Sequence, residues 1–182
     1  MRKPTKEEIA AAEGKTLPDV IAKDLRVLFC GINPGLYTAA AGCHFARPGN
    51  RFWPTLHRAG FTPRLFHPDE QHELLEHGIG ITNLVARATT AAAELTPAEL
   101  AEGAAILTRK VKRWTPRVLA IVGVGAYRTG FARPRAQLGL QPETIGETAI
   151  WVLPNPSGLN ANYRPAELVA LFRELKEWAW TT

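Results

Sequence analysis

Short apolar runs that alternate with stretches of helical periodicity leave this chain few ways to fold. The runs are residues 25–32 (LRVLFCGI), 80–85 (GITNLV), 117–124 (RVLAIVGV) and 149–153 (AIWVL). Two of them, around 27–30 and 118–122, are nearly continuously apolar, the pattern of parallel strands covered on both faces. Between the runs lie helix signals. Thr96-Pro97-Ala98-Glu99 puts a capping Thr before a Pro at the first helical position, with Glu three residues after the cap, and starts a helix that runs to about Trp114. Pro165 opens a last helix whose Leu168, Leu171, Phe172, Leu175 and Trp178 recur at spacings of three and four and form one buried stripe. Further helices are predicted at 5–13, 52–59, 68–77 and 126–131. Strands that alternate with helices require crossovers. The expected fold is therefore α/β, a three-layer α/β/α sandwich around a mainly parallel sheet of four to five strands. In such sheets a ligand binds beyond the carboxyl ends of the strands, which directs attention to the residues just after Ile32, Val85, Val124 and Leu153.

With 182 residues, one domain spanning 1–182 is expected, its first twenty or so residues forming a loosely attached helix. The 46% hydrophobic and 21% charged residues are ordinary globular composition. No apolar run approaches the ~20 residues that span a bilayer, and MRKPTKEE at the start lacks the apolar core of a signal peptide, so a cytoplasmic protein with no membrane partner is expected. Two cysteines, Cys30 and Cys43, are too few for a disulfide scaffold, an iron–sulfur cluster or a four-cysteine zinc site. A net charge of +5 suits a polyanionic partner.

Two turns carry the chemistry. Gly31-Ile32-Asn33-Pro34-Gly35-Leu36 follows the first strand, and Pro154-Asn155-Pro156-Ser157-Gly158-Leu159-Asn160 follows the fourth. Asn, Pro and Gly are ordinary turn formers and on their own imply only tight turns. Each turn nevertheless fixes an Asn carboxamide on the same sheet edge, where a pocket can be read by donors and acceptors. GINPGL, GCHFARPGNRFW (42–53), GITNLVARAT (80–89) and VLPNPSGLN (152–160), in that order from about Lys15 to Trp178, together resemble the mismatch-specific uracil-DNA glycosylase and thymine-DNA glycosylase family.

That resemblance implies a monofunctional, metal-independent, cofactor-free enzyme of base-excision repair, acting as a monomer on double-stranded DNA. It would flip uracil, or a related damaged pyrimidine, out of a G·U-type mismatch and hydrolyse its N-glycosidic bond. Asn33 matches the residue that positions the attacking water. The base pocket would comprise Gly31, Ile32, Pro34, Gly35, Phe45 as the stacking aromatic, Asn83 and Asn155. Ser157, Gly158 and Leu159 match the segment that enters the duplex, with Leu159 as the wedge. Asn160 and Ala161 follow it toward the opposite base. Arg47, Arg51 and Arg164 are the expected phosphate contacts.

The chain departs from the family pattern at three places. Some relatives carry Arg at the position of Ala161, which leaves Asn160, Asn162 or Arg164 to meet the opposite guanine. Some carry Lys at the position of Asn83. Relatives also carry an acidic residue where this chain has Ala86, and a carboxylate there would assist water attack. Three alternatives stay open: Asn33 serves alone, another acid such as Glu94 compensates, or the chain is an inactivated variant. A catalytically silent protein that binds mismatched or abasic DNA is the corresponding competitor.

Other signals are weaker. His72 and His77 are five apart, about 140° around a helix, and do not converge on one metal. Gly123-Val124-Gly125 hints at a dinucleotide loop, but the next glycine, Gly130, comes too late for that fingerprint, and a close strand-to-helix turn fits better. Ser157 has no GxSxG frame.

Overall fold

A computed structural model describes residues 1–181. Five strands form one sheet in the order β2-β1-β3-β5-β4. β1 (Val27–Gly31), β2 (Ile79–Asn83), β3 (Val118–Val122) and β5 (Thr148–Leu153) run parallel, and β4 (Gly139–Ile145) pairs antiparallel with β5 at the edge. The four apolar runs are the four parallel strands. β4 escapes the apolar criterion because GLQPETI carries Pro142, is bulged between Leu140 and Thr144, and has one neighbour only. An edge position tolerates that sequence.

Successive side chains of the central strands point to opposite layers. Val27, Phe29, Val118 and Ala120 pack with Phe52 and Leu56 of α3 (Phe52–Arg58) and with Phe172 and Leu175 of α6 (Pro165–Thr181). Leu28, Cys30, Leu119 and Ile121 pack with Leu107 and Val111 of α4 (Pro97–Trp114) and with Tyr127 of α5 (Val124–Gly130). This is the expected three-layer sandwich. Thr96 caps α4 with the reciprocal Glu99 bond, as its sequence predicts. One local expectation is corrected: residues 68–77 form a 3-10 rather than an α-helix. A further helix, α2 (Leu36–Ala41), too short to show periodicity, follows the first turn.

The N-terminal segment contributes α1 (Lys6–Ala10) and then runs along β2, with Val20 and Ile81 exchanging backbone hydrogen bonds of 2.9 and 2.8 Å. Asp19 accepts from Thr82 Oγ1 at 2.6 Å and pairs with Lys110 of α4. Val20 and Asp19 therefore fasten the segment at the sheet edge, and Pro18, just before them, touches the site described next.

Candidate active site

A cavity of about 210 Å³ opens at the carboxyl ends of the parallel strands. Its size is below the ~300–1,000 Å³ of clefts that take drug-sized ligands and suits a single small ring. Gly31, Ile32, Asn33, Pro34 and Gly35 after β1, Asn83 at the end of β2, Val122 at the end of β3 and Asn155 after β5 line it, together with Phe45, Arg47, Ser157 and Leu159. The two Asn-Pro turns thus face one another across one site.

Asn33 is held by its amide nitrogen. Nδ2 donates to the Arg87 carbonyl at 3.0 Å and to Thr89 Oγ1 at 2.8 Å. Thr89, only 1% exposed, passes its own hydroxyl proton to the Ala91 carbonyl at 2.9 Å. Both Nδ2 protons are committed, so Oδ1 is the group that Asn33 can offer to the cavity, and it accepts no hydrogen bond among the described residues. Arg87 is itself anchored by Glu99 at 2.6 Å, and that guanidinium holds the Glu99 carboxyl well below the usual carboxylate range.

Asn83 is held in the same sense, by its amide nitrogen. The buried His44 ring sits with Nε2 2.9 Å from the Pro18 carbonyl, an arrangement that needs a proton on Nε2 and leaves Nδ1 as an acceptor. Asn83 Nδ2 lies 3.4 Å from that Nδ1 and donates to it. Burial pushes the His44 pKa below its ordinary value, in keeping with the neutral ring this chain of bonds requires. Gly31 is the floor beneath both groups. A Cβ there would come within 2.6 Å of Asn83 Oδ1 and 3.3 Å of Phe45 Cζ, so only glycine leaves the cavity open.

Phe45 adopts φ 54°, a left-handed conformation that is rare and costly for a bulky residue and typical of functional sites. That conformation turns its ring onto Phe52, with centroids 4.0 Å apart and planes 19° from parallel. Phe52 belongs to the core, so a half-buried aromatic plane is presented to the cavity on rigid support.

The segment after β5 is self-capped. Asn155 Oδ1 accepts from Ser157 N at 2.9 Å, Ser157 Oγ from Leu159 N at 3.2 Å, and the Asn155 carbonyl from Asn160 Nδ2 at 3.0 Å. The side-chain oxygen of Asn155 is spent in the turn, so Nδ2 is what it offers to the cavity. At the tip, Leu159 is 76% exposed, well beyond the other exposed leucines, Leu65 and Leu140. Gly158, Ser157 and Leu159 also wall a second cleft against Arg47 to Asn50.

The basic and acidic expectations divide. Arg47 is exposed at the mouth and makes no side-chain bond among the described residues. Arg51, expected at a phosphate, is corrected: its guanidinium is turned inward onto the carbonyls of Ser157, Asn160 and Tyr163. Arg164 is exposed, paired with Glu167, and off the cavity, as are Asn160 and Ala161. Ala86 is exposed and does not line the cavity, and Glu94 folds back onto Ala91 N at 2.8 Å. Among the described residues no carboxylate lines the cavity. The Gly123 amide is spent on the Leu153 carbonyl at 2.9 Å, inside the sheet edge, where a phosphate-binding loop would leave it open. Thr89 and His44 escaped the sequence reading. Thr89 stands two residues after Arg87 in GITNLVARAT and His44 beside Phe45 in GCHFARPGNRFW, but nothing local marks either as a hydrogen-bond partner of Asn33 or Asn83.

A profile of the Uracil DNA glycosylase superfamily matches residues 18–176. Among solved structures, the chain is similar to the solution NMR structure of a "putative Uracil DNA glycosylase" from Methanosarcina acetivorans, with a TM-score of 0.58 and 20% identity over 90% of this chain and 98% of that one. At that identity the likeness speaks for the fold, and it agrees with the mainly parallel sheet and flanking helices. The profile match spans both Asn-Pro turns, the Phe45 segment and the Asn83 strand end, and on that ground the chain belongs to the uracil DNA glycosylase superfamily.

Proposed function

We propose that this chain is a mismatch-type uracil-DNA glycosylase that extrudes uracil from a G·U pair in duplex DNA and hydrolyses its glycosidic bond as a monomer, without metal or cofactor. The observation that carries the reading is the commitment of both Asn33 Nδ2 protons to Arg87 and Thr89, which dedicates Oδ1 to an acceptor role at the rim of a ring-sized cavity.

The flipped pyrimidine would stack on Phe45 over the Gly31 floor, between a carbonyl from Asn83 and an amide from Asn155. As the C1′–N1 bond breaks, its electron pair stays on the base, where backbone N–H groups of the 31–35 turn and Asn155 Nδ2 can meet the developing charge. A water held by Asn33 Oδ1 adds to C1′ after the carbon has become cationic and releases its proton to solvent, and the departing uracil anion takes up a proton in turn. A neutral amide orients that water without deprotonating it, so the reaction leans on a dissociative path. Leu159 would occupy the vacated space in the stack, and a wobble pair costs less to open than a Watson–Crick pair, which favours G·U.

The acid-free cavity favours Asn33 acting alone over compensation by Glu94. The same feature keeps a second reading in play, a slow or silent protein that binds the mismatch or the abasic product. Single-turnover release of uracil from a labelled G·U duplex, in chelator and against the A·U duplex and the single strand, separates them. Release that is faster from G·U than from A·U and unchanged by chelator supports the enzyme. Binding of the mismatch without release establishes the silent reader, and an absence of both removes the mismatch assignment.

A further inference from the structure

Arg51 lies in a segment that the proposed chemistry does not use, yet its guanidinium makes three hydrogen bonds to residues more than a hundred positions away. Nη1 donates to the Tyr163 carbonyl at 2.6 Å, and Nη2 donates to the carbonyls of Ser157 and Asn160, each at 2.8 Å. Its backbone N–H donates to the Pro156 carbonyl at 3.0 Å. Four carbonyls of the Leu159 loop therefore converge on one residue. The contact is close as well as polar, because a Cβ on Gly158 would fall 2.4 Å from the Gly49 carbonyl. Side chains are excluded from that seam, and the 47–51 and 156–163 segments form one unit with Leu159 at its tip.

The same guanidinium carries a cost. Arg51 Nε is the one buried side-chain polar atom without a partner among the described residues. An unsatisfied buried donor opposes stability, and here that cost accompanies the three carbonyl bonds made by the same guanidinium. An apolar tip that must enter base stacking meets steep resistance, and a loop free to bend would yield instead of the duplex. A fork of fixed N–H groups spanning three carbonyls is the kind of support that prevents bending, and a lysine ammonium on a flexible stem is not.

We propose that Arg51 is a positioning residue that stiffens the Leu159 loop so that the leucine can displace a paired base. The proposal rests on the glycosylase reading for its consequence and on the loop geometry alone for its structural half. Arg51→Ala, Leu159→Ala and the double variant are compared in single-turnover excision of uracil opposite guanine and of uracil opposite an abasic analogue, which has no pairing partner to give up. Arg51→Lys serves as the conservative variant and as the fallback if the alanine variant folds poorly. Hydrogen exchange of the Leu159 and Asn160 amides supplies a readout that needs no activity.

Excision opposite guanine is expected to fall roughly 10- to 100-fold in both single variants, the scale of a group displaced by about 1 Å, and no further in the double. Opposite the abasic analogue the losses shrink to about threefold or less, Arg51→Lys recovers only part of the rate, and loop exchange accelerates in the Arg51 variants. Multiplicative losses in the double variant, or equal losses on both substrates, overturn the proposal by making Arg51 a general structural residue. Unchanged loop exchange overturns it outright. If the unaltered chain releases no uracil from either substrate, the glycosylase reading fails instead, and the exchange experiment still decides whether Arg51 holds the loop.

Discussion

Asn33 Nδ2 and Thr89 Oγ1 are 2.8 Å apart, and the direction of that bond fixes which end of the carboxamide faces the cavity. Were the amide to rotate by 180°, Oδ1 would face the Arg87 carbonyl in a repulsive contact, so Thr89 and Arg87 together select one orientation. Replacing Thr89 with Val keeps the shape and removes the acceptor. Excision by Thr89→Val is expected to fall about tenfold, ~1.4 kcal/mol of transition-state stabilisation, with Thr89→Ser close to the unaltered chain. Loss of the buried hydroxyl costs about 1 kcal/mol of stability, so thermal midpoints are measured beside the rates. A Thr89→Val enzyme with full activity would show that Arg87 alone orients Asn33.

Position 86 gives a sharp test of the missing acid. Ala86 is exposed and does not line the cavity, while the carbonyl of its neighbour Arg87 holds Asn33. A carboxylate there is solvated and out of contact with the reacting atoms. Ala86→Asp is therefore expected to change single-turnover excision by less than about threefold. An acid inside the reacting shell would raise it by about two decades or more, and that outcome would mean that the 85–90 segment moves inward when DNA binds.

Sequence and structure agree where signals are local and diverge where they are tertiary. Continuous apolar runs specified β1, β2, β3 and β5 because each is buried on both faces, whereas β4 buries only Gln141 and Ile145 and left no such trace. The two Asn-Pro turns were readable as site elements because strand ends in parallel sheets are where ligands bind. Arg51 was misread for a simple reason. A basic residue among Gly and Pro looks solvated, and nothing in its neighbourhood reveals that three carbonyls more than a hundred residues away will converge on it. His44 and Thr89 were silent for the same reason, since their partners lie 39 and 56 residues distant.

Gly31 separates base seating from DNA binding. A methyl group there would press on Asn83 Oδ1 at 2.6 Å and on the Phe45 ring, filling the space a pyrimidine needs. Gly31→Ala is expected to lower uracil excision by roughly 100-fold, while affinity for duplex carrying an abasic analogue stays within about threefold, because that ligand brings no base. Equal loss of both would indicate damage to β1, not to the pocket.

His44 ties the site to acid stability. Its pKa is depressed in the folded chain, chiefly by burial, with the Pro18 carbonyl and Asp19 acting against the shift and the facing His72 and Lys110 acting with it. The unfolded chain therefore takes up this proton first as pH drops, and folding stability declines from about pH 6.5, the ordinary histidine value, until the folded-state pKa is passed. Carboxylates held low by partners, Glu99 among them, weaken the fold only below about pH 4.5. Between about pH 6.5 and 5 the thermal midpoint is expected to fall in the unaltered chain and to be flatter in His44→Gln. Parallel curves would assign the acid sensitivity elsewhere.

Salt distinguishes the two arginines of the 47–51 segment. Arg47 is exposed beside Leu159 and makes no side-chain bond among the described residues, so its charge is available to a phosphate flanking the flipped nucleotide. Arg51 has spent its guanidinium on the loop. A side chain that neutralises one phosphate contributes about 0.9 to the slope of log affinity against log salt. Arg47→Ala is expected to weaken duplex binding evenly across sequences and to lower that slope by about one. In Arg51→Ala the slope should be preserved even where excision is impaired, because the loss lies in loop geometry and not in counterion release. A reduced slope in Arg51→Ala with no change in Arg47→Ala would exchange the two roles, and would require the Leu159 loop to open on DNA so that Arg51 can turn outward.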